Sequence, residues 1–204
     1  SLIITLPTVI GTLFLSSLAG YSLAMHRFKL NLLVFAMFIA GNFVPYQILM
    51  IPVRNISIEL GMYNSHLGLI IFHIAFQTGF CTFFLRNFIK ELPFELIEAA
   101  RADGATEWTI YRKIIIPLTI PALAALGVLE FTFIWNDYFW ALVLTQGDTV
   151  KPITVGLDVL RGQWTTAWNL VSAGSVVAAL PPVIMFFILQ RQFIQGLTFG
   201  AVKG

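Results

Sequence analysis

Residues 98–121 read EAARADGATEWTIYRKIIIPLTIP. The stretch is charged and alanine-rich, and it stands between long runs that carry almost no charge. In a chain this apolar, a polar island of that length is where something outside the membrane can take hold. Everything around it has to be read as the scaffold that presents it.

That scaffold is set by composition. With 58% hydrophobic and 11% charged residues, and a mean hydropathy of +0.85, the chain has too little charge to cover a soluble globule of 204 residues. It reads as an all-α integral membrane protein with membrane lipid as its solvent. A net charge of +2 without a dense Lys/Arg run gives no footing for a nucleic-acid partner. A single cysteine, Cys81, excludes an internal disulfide framework, and His26, His66, His73 and Cys81 stand in no metal-binding spacing, so no metal is expected. The run that follows Ser1 lacks the basic n-region of a cleavable signal peptide.

Five transmembrane helices are predicted, at 2–25, 30–51, 67–85, 118–146 and 168–189, each able to cross a hydrocarbon core that takes about 20 apolar residues. Their apolar runs are continuous rather than alternating, which argues for helices over barrel strands. Arg27, Lys29, Arg86, Lys90, Arg101, Arg112, Lys113, Arg191 and Lys203 fall on one side of this topology, and Arg54, Lys151 and Arg161 on the other. The basic excess marks the cytoplasmic side, so the polar island and the carboxyl terminus are expected there. The chain is then one transmembrane domain over 1–204, with a cytoplasmic loop at 86–117, an extracytoplasmic loop at 147–167 and a cytoplasmic tail at 190–204. An odd number of spans starting outside suggests a further amino-terminal helix before Ser1; a true five-span protein is the other reading.

Small residues recur at a spacing of four, at Ser16, Gly20 and Ala24 and again at Gly174 and Ala178, which lets helix backbones approach closely. Packing within the subunit is favoured over a dimer contact. Pro7, Pro45, Pro181 and Pro182 are expected to kink or break helices.

Within the island, residues 92–102 are good helix formers, with Glu91, Glu95 and Glu98 spaced three to four apart. Asp103 and Gly104 signal a turn, Gly104 being able to take a positive φ at a helix end. A second short helix from Thr106 to about Lys113 follows, capped by Thr106 or Asp103, and Pro117 and Pro121 close the unit where the fourth span begins. Ala99, Ala100 and Ala105 at the bend would offer a small knob to a partner's groove.

These residues carry a resemblance. Glu98, Ala99, Ala100, Asp103, Gly104 and Ala105, followed by Ile114, Pro117 and Pro121, are similar to the EAA loop of permease subunits of bacterial ABC importers, with Tyr111 and Ile116 as mild departures. The block Trp135, Asn136, Asp137, Tyr138 and the tail Gly196, Leu197, Thr198, Gly200, Ala201, Val202, Lys203, Gly204 resemble the carbohydrate-uptake branch, of the MalG type. The resemblance implies a six-helix type I importer permease that here lacks its first helix. It also implies a bacterial or archaeal cytoplasmic (inner) membrane location and alternating access. The EAA segment would be a coupling helix, with Glu98 and Asp103 offering carboxylates to a cytoplasmic ATPase subunit. Two such ATPases, a second permease subunit, often a different sister chain, and an extracytoplasmic solute-binding protein are the implied partners. This chain has no phosphate-binding G-x-x-x-x-G-K-[ST] loop, so ATP and Mg would sit on the partner and this chain would hold no cofactor.

Glu130 and Asp137 are the only carboxylates inside the predicted spans, and an acid at the bilayer centre costs about 2.5 to 3.5 kcal/mol on translocon scales. They are expected, with Trp135, Asn136 and Tyr138, to line the pathway of a sugar or sugar-like solute. The alternatives are an interfacial aromatic belt, a hydrated Asp137, and a Glu130 that ties helices together. Asp148, Lys151, Asp158, Arg161 and Trp164 in the outer loop are the candidates for contact with the binding protein, or else part of a solvated connector. An ion-coupled secondary transporter would be expected to show internal repeats, and none is visible. An intramembrane enzyme would need a nucleophile and base that nothing in the sequence selects.

Overall fold

The computed structural model describes residues 1–162 and 166–198, the side chains of 192–198 excepted. Among the described residues the secondary structure is helical, with no strand. The helices are α1 (Leu2–Met25), α2 (Asn31–Ala40), α3 (Met50–Glu59), α4 (His66–Lys90), α5 (Phe94–Ala102), α6 (Glu107–Ile110), α7 (Ile116–Trp135), α8 (Phe139–Leu144), α9 (Ile153–Val159) and α10 (Trp168–Thr198). Helices satisfy their own backbone, which lipid cannot do for them. Leu2–Met25, His66–Lys90, Glu107–Trp135 and Trp168–Arg191 are each long and apolar enough to cross a membrane.

Four expectations need correction. The second predicted span is not one helix: Asn31–Phe43 and Tyr46–Glu59 meet at 90°. Pro45 stands at the break, with no N–H to donate and a ring that drives the preceding residue out of the helical region. The third span runs on to Lys90, so the loop predicted from 86 starts at Glu91. Pro117 and Pro121 do not end a helix, because α6 continues into α7 through a π-helical turn at Tyr111–Ile115. The Ile116 N–H there bonds the Tyr111 carbonyl, an i→i−5 step that shifts the carbonyls an α-helix would press against the Pro117 ring. Finally, the fourth span stops at Trp135 rather than Gln146, so Asp137 lies past the end of α7. The helix of the last span extends to Thr198, into the predicted tail, whose residues 199–204 lie outside the described ones.

The chain forms two compact units, one of residues 1–11, 44–75 and 128–188, the other of residues 12–43, 76–127 and the segment from Leu189. The second unit has a core of Tyr21, Cys81, Leu85, Phe88, Ile89, Leu92, Ile97, Ile110, Tyr111, Ile115, Ala122 and Leu126. One close helix approach in it lies along the predicted small-residue stripe. Ser16 Oγ donates to the Thr78 carbonyl of α4 at 3.3 Å, and a Cβ built on Gly20 would stand 3.1 Å from both the Arg86 nitrogen and Leu85 Cβ. The stripe therefore serves packing within the subunit. Arg86, also buried, lays its guanidinium 3.7 Å from the centre of the Phe35 ring.

In the first unit, Trp135 donates its indole N–H to the Ala178 carbonyl at 2.9 Å and ties α7 to α10. Asn64, at φ 56°, accepts from the Gln146 and Gly147 N–H groups at 2.8 and 2.7 Å, and its own N–H bonds the Leu144 carbonyl. Asparagine tolerates that left-handed backbone while its side chain holds the chain leaving α8.

Gly20→Val should force α1 and α4 apart and lower stability by about 1–3 kcal/mol. A Cβ on Gly127 meets only Leu13 Cδ1 at 3.6 Å, so Gly127→Ala should change little. Thermal unfolding of the two purified variants in detergent tests the contrast.

Candidate functional site

The polar island folds as a helix, a tight turn and a second helix that merges into α7. α5 anchors through Ile97, which is fully buried, with Leu92 beside it. It ends in a two-bond turn: the Ala105 N–H bonds the Ala100 carbonyl at 2.9 Å and the Gly104 N–H bonds the Arg101 carbonyl at 3.0 Å. This is the Schellman pattern, and it requires the residue after the cap to be left-handed. Gly104 fills that place with φ 78°. Thr106 then caps α6, its hydroxyl accepting from the Thr109 N–H at 3.3 Å.

The face left outside is mixed. Glu95, Glu98, Ala99, Ala102, Asp103 and Gly104 are exposed, and so are the large apolar side chains of Phe94, Leu96 and Trp108, the last at 57%. Of the three alanines expected as a knob, only Ala99 is fully outside; Ala100 and Ala105 pack against the unit's own core. The apolar members of this face, Trp108 above all, were not picked out from sequence, because nothing in periodicity separates an exposed tryptophan from a buried one.

Glu107, at the start of α6, gathers donors. Arg101 reaches both of its oxygens, at 3.0 Å from Nε and 3.3 Å from Nη2. The Tyr21 hydroxyl donates to Oε2 at 2.5 Å, and His26 Nε2 lies 3.3 Å from the same oxygen. The hydrogen bond to Glu107 holds the Arg101 guanidinium above its ordinary range. One turn on, the Tyr111 hydroxyl and Ser17 Oγ are 2.6 Å apart.

The second candidate region is in the first unit, around the end of α7. Asn136, exposed, donates from its amide to the Thr132 carbonyl at 2.8 Å. The Asp137 carboxylate accepts from the Trp140 and Ala141 N–H groups at 3.2 and 2.9 Å, caring for the first turn of α8, and lies 3.5 Å from His73 Nε2. Its backbone carbonyl takes the Thr154 hydroxyl at 2.6 Å. Tyr138 donates to Asp158 at 2.8 Å, and that carboxylate pushes the Tyr138 phenol above its ordinary range. Tyr138, Asp158 and Arg161 line an open cavity of about 460 Å³, together with Thr154, Leu157, Val171 and Ser175.

The five residues predicted for the pathway therefore divide. Tyr138 borders the cavity and Asn136 is exposed, whereas Glu130 and Trp135 are buried and Asp137 spends both oxygens on α8. The outer-loop set divides as well. Asp158 and Arg161 join Tyr138, while Asp148 and Lys151 pair with each other at 2.8 Å, the lysine holding the Asp148 carboxyl below its usual range. Trp164 lies outside the described residues. Thr154 and Ser175 were missed because a lone hydroxyl in an apolar run gives no signal in sequence.

Residues 13–199 match the family described as binding-protein-dependent transport system inner membrane component. The arabinooligosaccharides transport system permease protein AraQ of Halalkalibacterium halodurans is 36% identical over 98% of this chain and 71% of its own. The melibiose/raffinose/stachyose import permease protein MelC of Bacillus subtilis is 37% identical over 100% of this chain and 74% of its own. Among solved structures, a bacterial ABC transporter involved in the import of the acidic polysaccharide alginate shares the fold, with a TM-score of 0.72, 24% identity, and coverage of 94% of this chain and 74% of that one. The chain belongs to this family: it is a multi-pass inner-membrane permease component of an ABC importer, a transport subunit and not an enzyme.

Asp137→Ala removes both acceptors at the start of α8 and should cost about 1 kcal/mol, the usual worth of a lost helix cap. Detergent unfolding of the variant beside the parent protein measures it.

Proposed function

We propose that this member of the binding-protein-dependent permease family carries sugars or sugar-like solutes by alternating access, driven by a separate ATPase that docks on the helix–turn–helix around Gly104. The observation that carries the reading is that turn. A Schellman end with its Ala100 and Arg101 carbonyls satisfied presents Glu98, Ala99 and Asp103 on the same segment as Phe94, Leu96 and Trp108. Apolar anchors ringed by carboxylates suit a partner groove with apolar pockets and a basic or N–H-rich rim. The partners on this reading are two ATPase subunits holding ATP and Mg, a second permease subunit and an extracytoplasmic solute-binding protein. The basic excess on the side of this turn supports a cytoplasmic placement for it and for the carboxyl terminus.

For the cargo, the support is the cavity at Tyr138. An aromatic face beside a carboxylate, a guanidinium and two hydroxyls is the donor and acceptor mixture a sugar presents in complement. The sugar names of AraQ and MelC point the same way. On this reading Tyr138, Asp158 and Arg161 lie where solute passes or where the binding protein delivers it.

Glu98→Lys reverses a charge on the exposed face, and Gly104→Pro cannot adopt the left-handed turn. Both should insert normally and lose the ATPase on affinity purification; normal ATPase recovery in both would refute the docking assignment. In the assembled transporter, Tyr138→Ala and Asn136→Ala should change uptake across a panel of radiolabelled di- and trisaccharides without altering subunit recovery. An unchanged panel in both variants would remove this region from the solute path.

A further inference from the structure

An α5–α6 turn that only docked a partner would need no polar fastening to α1, yet the Glu107 carboxylate is engaged at both oxygens by its own subunit. Arg101 from α5 engages both oxygens, and Tyr21 and His26, from the end of α1 and just past it, converge on Oε2. A half-exposed ion pair alone adds little. The Tyr21 bond is of another kind, because Tyr21 is 6% exposed and its hydroxyl donates to a charged acceptor. Tyr21 is seated by the rings of Tyr111, 5.4 Å away and tilted, and His26, 5.6 Å away and edge-on. Without Glu107 that hydroxyl would lose its charged acceptor. The Ser17–Tyr111 bond adds a second tie between α1 and the same segment, one turn further along.

We propose that Glu107 is a positioning residue that fastens the docking turn to α1, so that a displacement of the turn is delivered to α1 rather than absorbed in the loop. α1 is a single helix from Leu2 to Met25, and its last turns are held to α4 at Gly20 as well. A pull at Tyr21 therefore acts on a stiff element. Three groups from two segments, Arg101 of α5 and Tyr21 with His26 at the end of α1, make an angular restraint on one carboxylate that a single ion pair would not.

The inference rests on the coupling reading above, and the test separates the two. The transporter is affinity-purified from its native membrane with its ATPase. Amide hydrogen exchange is then followed at 94–105 and at 21–26, without nucleotide and with Mg-ATP plus orthovanadate. The parent complex should respond at both segments. Glu107→Ala and Tyr21→Phe should keep the ATPase and the response at 94–105 but lose the response at 21–26. Glu107→Gln, whose amide oxygen still accepts from Tyr21, should keep most of it. Tyr21→Phe retains the ring and its packing, so it carries the test if Glu107→Ala fails to fold. A persisting response at 21–26 in Tyr21→Phe and in every folded Glu107 variant would overturn the proposal and leave Glu107 a local ion pair. Loss of the ATPase in Glu107→Ala but not in Tyr21→Phe would overturn it too, making Glu107 a docking group. A parent protein that brings no ATPase would sink the coupling reading, and this inference with it.

Discussion

Lipid is as apolar as the side chains that face it, so helices in a bilayer gain little by hiding leucine and are held by close packing and by polar contacts. In the second unit both meet on α1. Gly20 has no side chain, and the backbone of α4 at Leu85 and Arg86 comes close enough that a Cβ would crowd it. The next residue is Tyr21, which the same approach sets deep in the core with only its hydroxyl able to leave it. That hydroxyl finds Glu107. A larger residue at position 20 would thus disturb a polar contact on a segment distant in sequence, through nothing but spacing.

The turn at Gly104 solves a related problem. A helix that ends away from its own core must satisfy its last carbonyls or leave them to chance. Here the Ala100 and Arg101 carbonyls are taken by N–H groups of the turn itself. The exposed face can then be covered by a partner without stranding those two carbonyls, while Ile97 keeps the helix attached to its core. The alanines contribute differently than their number suggests. Ala100 and Ala105 let the two arms of the turn sit tightly on the core, and only Ala99 remains for an outside surface.

Much of the fold was legible in the sequence where physics is local. Continuous apolar runs located α1 to within its observed ends, because length and hydropathy are all that a membrane span demands. Gly104 was legible for the same kind of reason: only one residue type enters the left-handed region without strain. Prolines were legible only in part, since a proline's effect depends on what the preceding turn can do. Pro45 coincides with a right-angle break, whereas Pro117 is accommodated by the π turn before it, and α10 continues through Pro181 and Pro182. At the candidate sites, residue types were legible but pairings were not. Nothing in sequence joins Tyr21 to Glu107 or Tyr138 to Asp158, since each pair is made by helices folding back on one another. Asp137 illustrates the limit best: an acid in an apolar stretch reads as a pathway group, yet its oxygens are engaged by the N–H groups of the next helix.

The charges of the turn also divide by neighbour rather than by sequence. Arg101 and Glu107 neutralise one another within the subunit, leaving Glu95, Glu98 and Asp103 as exposed carboxylates with no such partner among the described residues of the turn. Exposed charges of this kind orient an approaching partner and set the rate of encounter more than they hold it. Lasting affinity has to come from desolvated anchors, and Phe94, Leu96 and Trp108 are the large apolar groups available on the same segment. Trp108 is the best placed of these, its ring stacked 5.3 Å from that of Tyr111, which itself bonds Ser17 of α1. A partner closing on Trp108 would press on the same tyrosine that bonds α1, so the apolar grip and the polar fastening act on one short piece of helix.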